Sequence, residues 1–300
     1  MPRDEIASAT GQPDDVPVLR PGLHVVRRDD RHLQVGVDPP LVLVVPDDPE
    51  TRRVLEDLRA GARPVLDTPT ARHLVAQLRE RGLLVDAADL DAALSRASDR
   101  AATSAVFAVF GDDAVRRLEA RTASRVALDA PDDLGQAAGR LLRASGVGTA
   151  EGPEHADAAL VICGDALPRA RLDPLLRAGL PHLVVAPGPG GLTVGPFVVP
   201  GVTACQRCVD ARLGERDPRR PMLLEQCGPG TRARGPSPRD PALLALAVAL
   251  AVRDMVSFVD GDEPATWSAS LTVGADLDLA RRAWRRHPHC GCSWDEDLAG

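Results

Sequence analysis

Two short cysteine pairs lie far apart in the chain, Cys205-Gln-Arg-Cys208 and Cys290-Gly-Cys292. Thiolates this close in sequence reach one ion, and two such pairs complete a tetrahedral S4 set. Any fold this chain adopts must therefore carry both segments to one point. The expected occupant is structural zinc, with no open coordination position and hence no hydrolytic role. Gly291 is expected to let the backbone fold tightly around the ion. Two disulfides would need an oxidising compartment, and Cys290 and Cys292 are too close in sequence to bond each other easily. His287 or His289 could also replace one cysteine as ligand. Cys163 ends an apolar strand and reads as inert core, and Cys227 reads as a spare thiol in an Arg-rich loop.

Patterning along the chain predicts an α/β protein. Residues 1–17 are polar and aperiodic, as in a mobile tail. The runs Leu23–Arg27, His32–Val37 and Leu41–Val45, separated by short polar or Pro-rich turns, predict a three-stranded antiparallel meander. Helices follow over 49–60, 69–82 and 88–97, the first stopped by Gly61 and the second opened by the Thr68-Pro69 pair. Residues 83–85 form a short extended run, and 18–97 thus make a small α+β domain. Residues 98–104 read as a linker. Over 105–300 strands expected at 105–110, 125–129, 158–163 and 182–186 alternate with helices at 112–122, 132–145 and 167–178, the grammar of a parallel sheet. A strand at 192–199 and a long irregular loop at 214–241 come next. An apolar helix over 240–259, read as a core helix too short for a membrane span, and a strand near 266–273 precede the last cysteines.

The chain contains no Lys, Asn or Tyr, so every basic side chain except His is Arg. A strongly GC-biased coding sequence explains the bias, and its chemical consequence is that no mechanism centred on Lys or Asn can run here. Lys+Arg number 36 against 43 Asp+Glu, and this net charge of -7 argues against general binding to nucleic acid or an acidic membrane. With neither a signal-peptide layout nor a long apolar run, a cytoplasmic location is expected.

The stretch Val194-Gly-Pro-Phe-Val-Val-Pro-Gly-Val-Thr-Ala-Cys-Gln-Arg-Cys-Val-Asp-Ala-Arg-Leu, with Arg216-Asp-Pro-Arg-Arg-Pro and the closing His287-Pro-His-Cys-Gly-Cys, resembles the ThiF-like partner proteins of YcaO cyclodehydratases in azole-modified peptide and bacteriocin biosynthesis. The resemblance covers most of the chain. It implies a winged-helix-like element over 18–97 that binds the leader of a precursor peptide, followed by a ThiF-like, Rossmann-related domain over 105–300 with a zinc-bound C-terminal tail. In that family the leader is held as an added strand beside the third helix. Here this points to Leu41, Val42, Leu43, Val44 and Val45 with helix 88–97. A homodimer is also implied.

The departure from the family concerns the nucleotide site. ThiF-like adenylating enzymes seat ATP on a strand–GxGxxG–helix, with Asn, Arg and Lys around the phosphates. Here the matching strand continues Asp129-Ala-Pro-Asp-Asp-Leu-Gly135, which keeps only the last glycine and adds like charge where phosphate would approach. ATP is therefore not expected. Asp129, Asp132 and Asp133 are a lesser candidate for Mg2+, set against a solvated turn capping the next helix. The function expected from the sequence is a non-catalytic scaffold that presents a leader-bound peptide to a YcaO-type enzyme for thiazoline or oxazoline formation. The alternative is an ATP-dependent ThiF-like adenylyltransferase acting on a peptide or carrier protein. Nucleic-acid binding through the first domain is disfavoured by charge and by an aromatic content of 2%.

Overall fold

Short polar turns between β-rich runs dictate the start of the chain. The structure, a computed structural model, describes residues 16–165, 167, 169–188, 191–226 and 240–293. Most of the expected tail, Cys227 and the Gly-Pro turns at 228–238 lie outside the described residues. The chain divides into two units, Met1–Leu118 and Glu119–Gly300.

In the first unit, β1 (Pro17–Leu19) is followed by β2 (Val25–Arg27), β3 (His32–Val35) and β4 (Leu43–Pro46). Strands β2, β3 and β4 form the expected antiparallel meander, with β4 at one edge. Helix α1 (Pro49–Ala60) begins where Asp48 accepts from the amides of Glu50 and Thr51 at 2.9 Å, and it ends at Gly61, whose φ of 71° suits a residue without Cβ. Helix α2 (Pro69–Glu80) is capped by Thr68. Val54, Leu55 and Leu58 of α1 and Leu74, Val75 and Leu78 of α2 share one core with Val35, Leu43 and Val45. Strand β5 (Leu84–Asp86) pairs with β1, so Pro17, the last residue of the expected tail, already belongs to a strand. Helix α3 (Ala87–Arg96) has no fully buried residue.

Helix α4 (Arg100–Phe110) corrects the strand expected at 105–110, and residues 100–104 of the expected linker are helical too. The local cause is Asp99, whose carboxylate accepts from the Ala102 amide at 3.0 Å and starts a helix in a run of small residues. Buried Arg20 fixes the far end of α4, donating from Nε to the Phe107 and Ala108 carbonyls at 3.0 and 3.1 Å and from Nη1 to Gly82 O at 3.0 Å.

Helix α5 (Ala114–Ala123) leads into the second unit, a seven-stranded sheet. Its elements are β6 (Arg125–Asp129), α6 (Asp132–Ala144), β7 (Gly148–Ala150), β8 (Ala158–Ile162), α7 (Asp173–Arg177), β9 (His182–Gly188), β10 (Gly191–Val198), α8 (Gln206–Gly214), α9 (Arg220–Gln226), α10 (Pro241–Val259), β11 (Ala269–Val273) and β12 (Leu279–Ala283). The sheet order is β12-β11-β10-β9-β8-β6-β7, parallel from β7 to β9 and antiparallel from β9 to β12. The helix expected at 167–178 shortens to a 3-10 turn at Arg169–Arg171 and α7, with Pro174 in its first turn. The loop expected at 214–241 contains α9, and α8, β7 and β12 were not anticipated.

Helix α10 is long and apolar enough to cross a membrane, which corrects the reading that it is too short. It packs instead on the sheet, with Ala247, Val248, Ala251, Val252, Met255 and Val256 buried among β8, β9, β10 and β11 residues.

His182 at the start of β9 is fully buried. Its Nδ1 lies 2.9 Å from Leu180 O, and Nε2 has no partner among the described residues. Burial lowers its pKa from 6.5, so the folded state holds it neutral. The unfolded chain then binds the extra proton, and stability that is complete above about pH 6.5 declines as pH falls toward the depressed folded value. The Tm of the wild type should therefore drop between about pH 7 and 5 more steeply than that of His182→Leu. Parallel slopes in a thermal melt series would exclude this.

Candidate metal centre

The chain leaving β10 turns at Pro200-Gly201, where Gly201 adopts φ 80° and the Val202 amide bonds to Val199 O at 2.9 Å. Thr203 locks the turn, accepting from the Val199 amide at 2.7 Å and donating to Phe197 O at 3.0 Å. The Ala204 amide bonds to Ser268 Oγ at 3.0 Å. These contacts place Cys205 in extended backbone at the N-cap of α8 and Cys208 in that helix's first turn. From the other side, β12 continues to Trp284, which is buried and donates from Nε1 to Ser270 Oγ at 2.9 Å. The chain then turns at His287–Cys290, with the Cys290 amide 2.9 Å from His287 O, and a single 3-10 turn delivers Cys292.

The four predicted sulfurs meet. Sγ of Cys205 lies 3.7 Å from those of Cys208 and Cys290, Cys208 Sγ lies 3.4 Å from Cys292 Sγ, and all four fall within 4.8 Å of one another. A tetrahedron with zinc–sulfur bonds of about 2.3 Å has sulfur–sulfur edges of about 3.8 Å, so the set fits that ion. Cys205, Cys208 and Cys290 are buried and Cys292 is half-buried. Without a cation such a cluster resists ionisation. Donating its S–H to Cys208 raises the pKa of Cys205 well above the thiol range, and burial pushes Cys290 up to about 11. A divalent ion supplies the charge that lets four thiolates coexist.

Polar residues brace the site. Arg286 donates to Cys292 O at 3.3 Å, Arg212 to Arg286 O at 3.1 Å, and Arg207 pairs with Asp173 at 2.7 Å beside Cys205. Neither histidine serves as a ligand: His287 contacts Glu215 through Nε2 at 3.2 Å and the His289 amide through Nδ1 at 3.2 Å, and His289 is exposed. The expected role of Gly291 also needs correcting. A Cβ there would meet nothing within 4 Å, so the close sulfur packing comes from the preceding turn.

Cys163 is buried at the end of β8, outside the cluster, and burial raises its pKa. It adjoins the crevice where the sheet order reverses, between the C-terminal ends of β6 and β8, the position at which α/β sheets hold ligands. Asp129 there is paired with Arg171 through two bonds, the Nε–Oδ2 contact at 2.5 Å, and Arg171 Nη1 lies 3.8 Å from Cys163 Sγ. Asp132 and Asp133 stand in the first turn of α6. The Asp129 carboxylate is thus already paired with a guanidinium.

The peptide-binding candidates sit on or before β4. Leu43 and Val45 point into the core, Leu41 packs against it, and Val44 is exposed. The Asp47 amide bonds to Arg31 O, so alternation along the β3–β4 ladder turns the Val44 N–H and C=O to the outer edge. Pro46 has no N–H to offer there, and Val42 O accepts from Arg81 at 3.2 Å.

Solved structures place this architecture. The fold is similar to that of two heterocyclases and of E. coli MccB. The heterocyclase TruD aligns at TM-score 0.72 and 16% identity over 95% of this chain and 43% of its own. A heterocyclase in complex with substrate and cofactor aligns at 0.68 and 18%, over 93% of this chain and 39% of its own. MccB with succinimide aligns at 0.65 and 13%, over 93% of this chain and 99% of its own. The chain therefore spans about two fifths of the heterocyclases and almost all of MccB. No family model matches the sequence. No curated protein matches it either.

Proposed function

We propose that this protein is a non-catalytic scaffold that binds the leader of a ribosomally made precursor peptide and presents the peptide to a YcaO-type cyclodehydratase for thiazoline or oxazoline formation. In this reading the first unit is a winged-helix-like recognition element, and the leader adds as a strand to the outer edge of β4. The second unit is a ThiF-like domain, in which Cys205, Cys208, Cys290 and Cys292 hold structural zinc. Its likeness of fold to two heterocyclases supports the setting. The observation that carries the non-catalytic assignment is the crevice at β6 and β8. Arg171 is committed to Asp129, the glycine fingerprint is gone, and no Lys exists to approach a phosphate. Self-pairing of the chain is proposed on the family resemblance.

The fold likeness to MccB, which extends to a structure with ATP at TM-score 0.60, makes adenylation the reading to test against. The purified chain is expected to show no ATP–pyrophosphate exchange with a leader-bearing peptide. Exchange above background would overturn the scaffold assignment. Binding is tested by fluorescence anisotropy with a leader peptide encoded beside this chain's gene. Val44→Pro removes the outward N–H at an edge position whose side chain is exposed, so it should largely keep Tm and weaken binding about tenfold. Undiminished binding would remove β4 as the docking edge.

A further inference from the structure

The second unit has an open edge of its own at β12. All five of its residues are exposed. The Trp284 amide bonds to Ser268 O at 2.7 Å, and the register continues as Ser270 opposite Arg282 and Thr272 opposite Ala280. Those positions face the β11 ladder, so alternation turns the N–H and C=O of Leu279, Arg281 and Ala283 outward. None of these groups has a partner among the described residues. Long open edges attract other strands, and proteins ordinarily blunt them with a bulge, a proline or a cover. Between Leu279 and Ala283 the register is regular and proline is absent.

Charge distinguishes this edge from the rest of an acidic chain. Arg282 lies over Trp284, its guanidinium 4.1 Å from the ring centroid, and Arg216 and Arg220 stand close enough to lower its pKa alongside the effect of burial. Nearby carboxylates are committed elsewhere. Asp210 is held by Arg169 at 2.5 and 2.9 Å and reaches Arg220 only at 4.0 Å, while Glu215 is shared by Arg212 and His287. At the other end of β12 the character changes, with Leu277 and Leu279 exposed beside Asp276 and Asp278. The edge therefore runs from exposed leucines interleaved with Asp276 and Asp278 to a basic stretch at 281–285.

We infer that the β12 edge is a docking strand for an acidic, extended segment of a partner protein. The segment adds antiparallel, with carboxylates at alternate positions facing Arg216, Arg220 and Arg282 and an apolar residue following toward Leu279. Main-chain donors and acceptors at every second residue match a polypeptide backbone and offer nothing specific to a nucleic acid. Neighbouring strands lie about 4.8 Å apart, which brings every second side chain of the added strand onto the face of Arg282. Guanidinium groups favour carboxylates through paired hydrogen bonds. This docking strand is separate from β4, so the two can fail independently.

The test uses the full chain and a labelled nonapeptide with glutamates at alternate positions in its N-terminal half and valines elsewhere. Binding should weaken with salt and fall about tenfold or more in Arg216→Glu with Arg282→Glu, at unchanged Tm and metal content. A peptide N-methylated at the edge-facing amides should also fail to bind. Should the double variant lose stability, the N-methylated peptide decides on the unaltered protein. Equal binding of the N-methylated peptide, no binding of the glutamate peptide, or preference for an oligonucleotide over it would overturn the proposal. So would binding that appears only after residues 294–300 are removed, since Asp295-Glu296-Asp297 would then be the competing occupant.

Discussion

Cys290→Ser is expected to leave the protein without stoichiometric zinc and to lower its Tm by about 6–12 °C, the shift that a loss of roughly 3 kcal/mol produces in a unit of this size. Cys290 is buried and its sulfur lies 3.7 Å from that of Cys205, so a hydroxyl there removes a soft anionic ligand without opening space for another. A metal held here would join residues 85 positions apart, and its loss would free the segment after β12 and the turn that leads into α8. A zinc chelator should bring the wild type down to the same Tm and leave Cys290→Ser unmoved. Cys163→Ala, altering a thiol outside the cluster, should keep the metal. A Cys290→Ser protein with full zinc content and an unchanged melt would show that these four sulfurs do not form a metal site.

Arg121→Met should destabilise the second unit by roughly 3–5 kcal/mol, because it takes a two-bond guanidinium partner away from a buried carboxylate. Arg121 of α5 grips Asp260 at the end of α10 through two parallel bonds, Nε–Oδ1 at 2.7 Å and Nη2–Oδ2 at 2.6 Å, and Asp260 is fully buried. Adding Asp260→Asn to Arg121→Met should recover part of the loss, since much of the cost lies in keeping the carboxylate charge buried with that guanidinium gone. Urea unfolding of both variants checks this. A single variant within about 0.5 kcal/mol of wild type would mean that water reaches the pair.

Elements set by local chemistry were legible in the sequence. The meander follows from its turns, α1 and α2 from their caps, and β6 with α6 from a strand–helix alternation. The cysteine cluster was legible because two close pairs leave few other geometries. Strand β12 was not, since a strand exposed along its whole length lacks the two-residue apolar rhythm that announces one. Helix α4 was missed because its alanines and valines suit either state, and only Asp99 at its start tips the balance. Buried pairings such as Arg121 with Asp260, 139 residues apart, leave no local trace at all.

If a leader adds to the outer edge of β4 as proposed, that edge has a kinetic consequence. It offers one complete donor–acceptor residue, Val44, between a proline and a carbonyl already engaged by Arg81. So few main-chain bonds make a light grip, and most discrimination must come from side chains. A one-residue slip would turn every side chain of the added strand over, so the phase of a bound segment is sharply set even while its residence is brief. Fast release in a fixed phase is what the proposed scaffold role would ask of that edge.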